Sequence, residues 1–110
     1  MNPHTLDDAK KCVGVGWHSL LEQIFAEIEK VDKTVIVEYV KEKFGGLRVC
    51  ASGCSDELDA FIWEICDKSL MICEFCGKEG YLIAGGTFGK WVKAVCVEHE
   101  PQWKAGTLKV

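Results

Sequence analysis

In the C-terminal half of the chain, Cys73-Glu-Phe-Cys76-Gly77 is answered by Cys96-Val-Glu-His99, with nineteen residues between Cys76 and Cys96. Each short stretch sets two metal-binding side chains two residues apart. Together they offer three thiolates and one imidazole, a donor set that a tetrahedral Zn²⁺ takes, and matched short spacings are its signature. Gly77 suits a tight turn just past the second cysteine, where glycine adopts a positive φ at little cost. The expectation is one structural Zn²⁺ per chain, held by Cys73, Cys76, Cys96 and His99. The opposing reading, two unrelated buried thiol pairs, leaves the matched spacing without a reason.

These ligands suit a scaffold better than a catalyst. Catalytic zinc keeps a position open for water, usually on three protein ligands, whereas four ligands here close the shell and three thiolates make the ion a poor Lewis acid. Zinc deaminases need a histidine or cysteine followed two residues later by glutamate, upstream of the cysteine pair. Nothing before Cys73 has that form, and Cys66 is followed two positions later by Lys68. A cysteine–histidine nucleophile would have to use His4 or His18, which no spacing supports and which read as solvated. Gly14-Val-Gly16 lacks the leading strand and third glycine of a dinucleotide fingerprint. Cys50 and Cys54, even with Cys12 or Cys66, are poorly spaced for a second metal and read as free thiols.

A second stretch, Val40-Lys-Glu-Lys-Phe-Gly-Gly-Leu-Arg48, gathers Lys41, Lys43, Phe44 and Arg48 around one turn. A basic-aromatic loop of this kind can touch phosphate or an acidic protein surface. The plainer alternative is a charged hairpin end that keeps a sheet edge soluble.

The elements that must position these residues follow from periodicity. Residues 1–16 read as a loose lead-in. Trp17, Leu20, Leu21, Ile24, Phe25 and Ile28 recur at helical steps and predict an amphipathic helix over 17–31. The β-branched run from Thr34, the glycine pair Gly45-Gly46 and the return through Leu47 to Ala51 predict a β-hairpin. Ser55 is an N-cap for a second helix over 56–70, with Leu58, Phe61, Ile62, Ile65 and Cys66 on its apolar stripe. Tyr81–Ala84, Gly85-Gly86 and Trp91–Val95 predict a second hairpin that returns the chain to the first cysteine pair. Pro101 limits any helix after Cys96 to about a turn, and residues 101–110 read as a tail. The fold expected is therefore α+β in a single domain over 1–110: helix, hairpin and helix over 17–70, then a zinc-ribbon or treble-clef-like hairpin over 71–100.

At 110 residues the chain has room for one modest core. A formal net charge of −4 supplies no basic field to draw it onto nucleic acid. Seven cysteines, an odd number, with neither a signal-peptide pattern nor an apolar run of membrane-spanning length, point to a reducing cytoplasm.

Trp17 with its leucine-rich helix, the Lys41–Arg48 string, Ser69, Cys73-Glu-Phe-Cys-Gly77, Trp91 and Cys96-x-x-His99 together resemble a family of short phage- and prophage-encoded proteins. The resemblance covers residues 12–99 and implies a zinc-bound C-terminal half, but it brings no activity with it. Cys50 departs from the pattern, where an aromatic residue is expected. HNH nucleases share the treble clef but need a catalytic histidine between the knuckles, and residues 77–95 contain no histidine, aspartate or asparagine.

The function expected is a non-enzymatic protein, of phage type, that binds and modulates a host protein complex, for example as an inhibitor of a defence system. Lys41, Lys43, Phe44, Arg48 and Trp91 are the expected contact residues; tryptophan is enriched at interface hot spots. The alternative is a nucleic-acid-binding module that adds Lys90 and Lys93 to the basic hairpin. No membrane partner is expected.

Overall fold

The computed structural model describes residues 4–85 and 91–106. Its helices are α1 (Leu6–Lys10), α2 (His18–Val31), α3 (Asp56–Lys68) and α4 (Glu100–Lys104), and its strands are β1 (Ile36–Lys43), β2 (Gly46–Ser52), β3 (Tyr81–Gly85) and β4 (Trp91–Val95). The strands form two separate antiparallel hairpins, β1–β2 and β3–β4. This is the expected α+β order of helix, hairpin, helix and metal-knuckle hairpin.

The main core lies between α2, α3 and one face of the first hairpin. Helix α2 contributes Leu20, Leu21, Ile24 and Ile28 and α3 contributes Leu58, Ile62 and Ile65, each set at the three- and four-residue steps of one helix face. Ser55 caps α3 as expected, its hydroxyl accepting the Leu58 N–H. The hairpin adds Val37, Val40 and Leu47. A smaller cluster of Cys73, Val95, Cys96 and Trp103 lies under the second hairpin.

Several boundaries differ from those read in the sequence. The lead-in is not loose: Thr5 caps α1, and Ala9 and Val13 are buried against the main core. A five-residue helix is too short to show a periodic stripe, so its composition hid it. His18, expected in solvent, meets the Lys10 carbonyl at 2.8 Å, and the His4 ring meets the Val37 carbonyl. Gly46 already belongs to β2 and pairs with Lys43, so the tip of the first hairpin is Phe44-Gly45. Helix α3 ends at Lys68 and passes into a 3₁₀ turn at Ser69–Met71. The tail begins as α4, which docks by burying Trp103 and donating its indole N–H to the Ile83 carbonyl at 2.7 Å. The tip of the second hairpin, with Gly86 and Lys90, lies outside the described residues.

Candidate metal centre

The first knuckle is a short closed loop. Cys73 N–H donates to Lys78 O at 2.8 Å, Gly77 N–H to Cys73 O at 2.9 Å and Gly80 N–H to Met71 O at 2.8 Å. Gly77 takes φ +86°, the left-handed turn its position called for. Strands β3 and β4 then return the chain to Cys96, and His99 N–H donates to Cys96 O at 3.1 Å, which brings the histidine ring back over the cysteines.

The four predicted ligands meet, with ligand atoms all within 4.8 Å of one another. The Cys76 and Cys96 sulfurs lie 3.6 Å apart, while His99 Nδ1 is 3.5 Å from Cys73 Sγ and 3.3 Å from Cys96 Sγ. A tetrahedral ion with metal–sulfur bonds of about 2.3 Å and metal–nitrogen bonds of about 2.0 Å has sulfur–sulfur edges of about 3.8 Å and sulfur–nitrogen edges of about 3.5 Å. The cage therefore fits one ion. Cys73 and Cys96 are buried, His99 is half-buried and Cys76 is exposed.

The thiols respond to this crowding. Desolvation of the sulfur where it faces the cluster, reinforced by hydrogen bonds with Cys96 and Cys73, pushes the Cys76 thiol up to about 11 although the residue has an exposed side. Burial also acts to raise Cys96, but hydrogen bonds from the His99 backbone and ring and from Cys76 outweigh it and bring Cys96 down to about 7. A metal ion binds the deprotonated forms, so loading this cage releases protons.

The knuckle is fastened to the rest of the molecule through residues the sequence left unassigned. Glu74, between the two cysteines, is fully buried. Its carboxylate accepts the Gly14 N–H at 3.1 Å and pairs with Lys93 Nζ at 3.0 Å. Lys93 pairs in turn with Glu42 at 2.8 Å, and the other Glu42 oxygen accepts the Gly45 N–H at 2.8 Å. An unbroken polar chain thus runs from the metal knuckle to the tip of the first hairpin. Among the described residues no buried side-chain polar atom lacks a partner, the condition under which such a chain is tolerable.

Gly14 and Gly16, rejected as a nucleotide motif, form the seat of this knuckle. Gly16 N–H donates to Glu74 O at 2.8 Å, and a Cβ at Gly16 would lie 1.9 Å from the Cys73 carbonyl oxygen. Trp17 closes the seat, its indole N–H donating to Ile72 O at 2.9 Å. A glycine pair just before a helix carried the signal, but only the approach of another backbone gives it meaning.

The Lys41–Arg48 string divides by strand alternation. Glu42 and Leu47, paired across the hairpin, face inward; Leu47 N–H donates to the buried Ser69 hydroxyl at 2.7 Å. Lys41 and Arg48, also paired, face outward, as do Tyr39 and Lys43. Lys41 Nζ lies 4.7 Å from the Tyr39 ring centroid and Lys43 Nζ 5.7 Å from that of Phe44, which is 70% exposed. Trp91 is exposed too, but shares with Phe44 and Lys43 a different hollow from the one bordered by Arg48. Lys43 and Phe44 border both hollows, so Arg48 and Trp91 lie on either side of the hairpin tip. Lys93, part of the nucleic-acid alternative, is instead paired with two carboxylates of the internal chain. Lys90 lies outside the described residues.

No family model, curated protein or solved structure matches the chain. No helix among the described residues is long and apolar enough to cross a membrane.

Proposed function

We propose that this is a non-enzymatic binding module, closed by one structural Zn²⁺, that presents the outer face of the first hairpin to a partner protein. Zinc is the reading for the cage because three thiolates and an imidazole in tetrahedral spacing favour it over harder ions, and four protein ligands leave no position for substrate. The ion would hold the two knuckles together, with Cys73, Cys76, Cys96 and His99 as its ligands.

One observation carries the binding reading. Lys10, Lys11, Lys33, Lys78, Lys93 and Lys104 pair with carboxylates, whereas Lys30, Lys41, Lys43, Arg48 and Lys68 form no ion pair with any described carboxylate, and of these five Lys41, Lys43 and Arg48 gather on one hairpin. Unpaired cations interleaved with Tyr39 and Phe44 are suited to an acidic protein surface. The resemblance to phage-encoded proteins makes a host complex in the cytoplasm the proposed target, with modulation or inhibition as the outcome. A second reading, single-stranded nucleic acid, draws on the same alternation of cations and ring faces, but the net charge of −4 opposes it.

The test is capture of host partners by zinc-loaded protein at low and high salt, with nuclease treatment. A discrete protein that survives both conditions, and is lost with Lys43→Glu/Arg48→Glu at unchanged zinc content, supports the proposal. Recovery of nucleic acid that disappears at high salt overturns it in favour of the second reading.

A further inference from the structure

Beside the outer face of the first hairpin lies a hollow of about 350 Å³, between β2 and α3. Its strand side is six consecutive residues, Gly46–Ala51, and its helix side includes Ile62, Trp63 and Cys66 of α3 and Leu70 of the 3₁₀ turn that follows it. Trp63 is 70% exposed at its rim, although it is a large apolar side chain on a helix whose opposite stripe builds the core. We propose that this groove is the docking slot for a short acidic segment of the partner, carrying one large apolar side chain. The inference rests on the protein-binding reading above and deepens it.

Charge orients the occupant. Lys43 and Arg48 border the groove from the hairpin, with Lys41 beside Arg48 on the same outer face, and Asp59 and Asp67 border it from the helix, so the hairpin side carries the larger charge. A phosphodiester strand would have to lie along those two carboxylates. A peptide can turn its own carboxylates toward Lys43 and Arg48 alone and seat an apolar side chain on Leu47, Ile62 and Leu70 beneath Trp63. The volume is right for one large side chain with its neighbours, not for a folded surface.

Strand addition is not the mode. The outward N–H of Leu47 is taken by the Ser69 hydroxyl, and Cys66 of α3 lines the groove beside Val49. With the β2 edge engaged at Leu47 and faced by α3, side chains must supply the affinity, in contrast to the main-chain pairing of β-augmentation.

The experiment is an amide-shift titration of the zinc-loaded full chain with a blocked pentapeptide of four aspartates around a central tryptophan. The same peptide with lysines in place of aspartates, and an oligothymidylate, serve as comparison probes. Expected are saturable shifts centred on Val49, Cys50, Trp63 and Leu70, weakened about tenfold or more by Arg48→Glu and by Trp63→Ser. Arg48→Gln repeats the test should Arg48→Glu disturb the α2 amides. Absence of localised shifts, equal binding of the lysine peptide, or tighter binding of the oligothymidylate in the groove overturns the proposal. If partner capture survives Trp63→Ser but not Lys43→Glu/Arg48→Glu, the groove is wrong and the protein-binding reading stands.

Discussion

Hairpin β1–β2 rests Val37, Val40 and Leu47 on two amphipathic helices, whereas β3–β4 buries only Ala94 and Val95 fully and leaves Tyr81, Leu82 and Trp91 exposed. Both are two-stranded and antiparallel, a form of marginal stability by itself. The first is held by apolar area, the second, on the reading proposed above, by a metal cage, together with one docked tryptophan and the polar chain through Glu74 and Lys93. The same supersecondary unit thus has two sources of stability in one small molecule. Each source can be removed separately.

Removing the metal gives the largest effect. In isolated finger peptides the ion supplies on the order of 10 kcal/mol. Chelation or Cys73→Ser should abolish hydrogen-exchange protection in both knuckles, β3, β4 and α4 while the amides of α2 and α3 remain protected. Uniform loss of protection throughout the chain would show that the two hairpins are not independently held. The pH response has a definite sign. In the metal-free fold the Cys96 thiol sits at about 7, below its ordinary value of 9.0. Its contribution is present in full above about pH 9 and is lost as pH falls toward 7; acid also drives metal release, so zinc occupancy should fall with it.

Lys93→Met comes next. It leaves the buried Glu74 carboxylate without its cation, a change that costs about 3–5 kcal/mol for a buried pair. Urea unfolding of the zinc-loaded protein measures it, and adding Glu74→Gln should recover part of the loss. If Lys93→Met costs no more than Lys33→Met at an exposed pair, the chain is not a fastening. Gly16→Ala should cost about 3 kcal/mol, since backbone atoms of the knuckle occupy the space its Cβ needs. Gly53→Ala, with nothing near its Cβ, is the matched control for the clash, carrying only the strain of its φ of +88°.

What was legible in the sequence follows the same division. Periodicity exposed α2, α3 and both hairpins because each buries one face, and burial writes itself into spacing. The ligands were legible because coordination demands residue types at short separations. The seat at Gly14 and Gly16, the role of Glu74 and the docking of Trp103 were not legible. Each depends on a partner 60 residues away, in the case of Gly14 and Glu74, or on the far side of a turn, and no local pattern records such a partner. Lys93 illustrates the cost. Two residues from Trp91 and on the same strand face, it read as part of a basic surface, yet its long side chain reaches back to two carboxylates of the internal chain.

Phe44 gives the smallest and most discriminating effect. It is the one described non-glycine residue with positive φ, at +53°, a conformation that costs an ordinary side chain about 1 kcal/mol or more. Its ring is mostly exposed, so little apolar burial offsets that cost. Asparagine tolerates the same backbone, and Phe44→Asn should raise stability by about 0.5 kcal/mol, read as a shift in the urea midpoint without change in its slope. A strained, exposed aromatic residue at the tip of an otherwise well-satisfied hairpin has no purpose in the fold. If Phe44→Asn stabilises the protein and weakens partner capture, the tip is kept for recognition. If capture is unchanged, recognition belongs to the groove beside α3 and the tip is only its border.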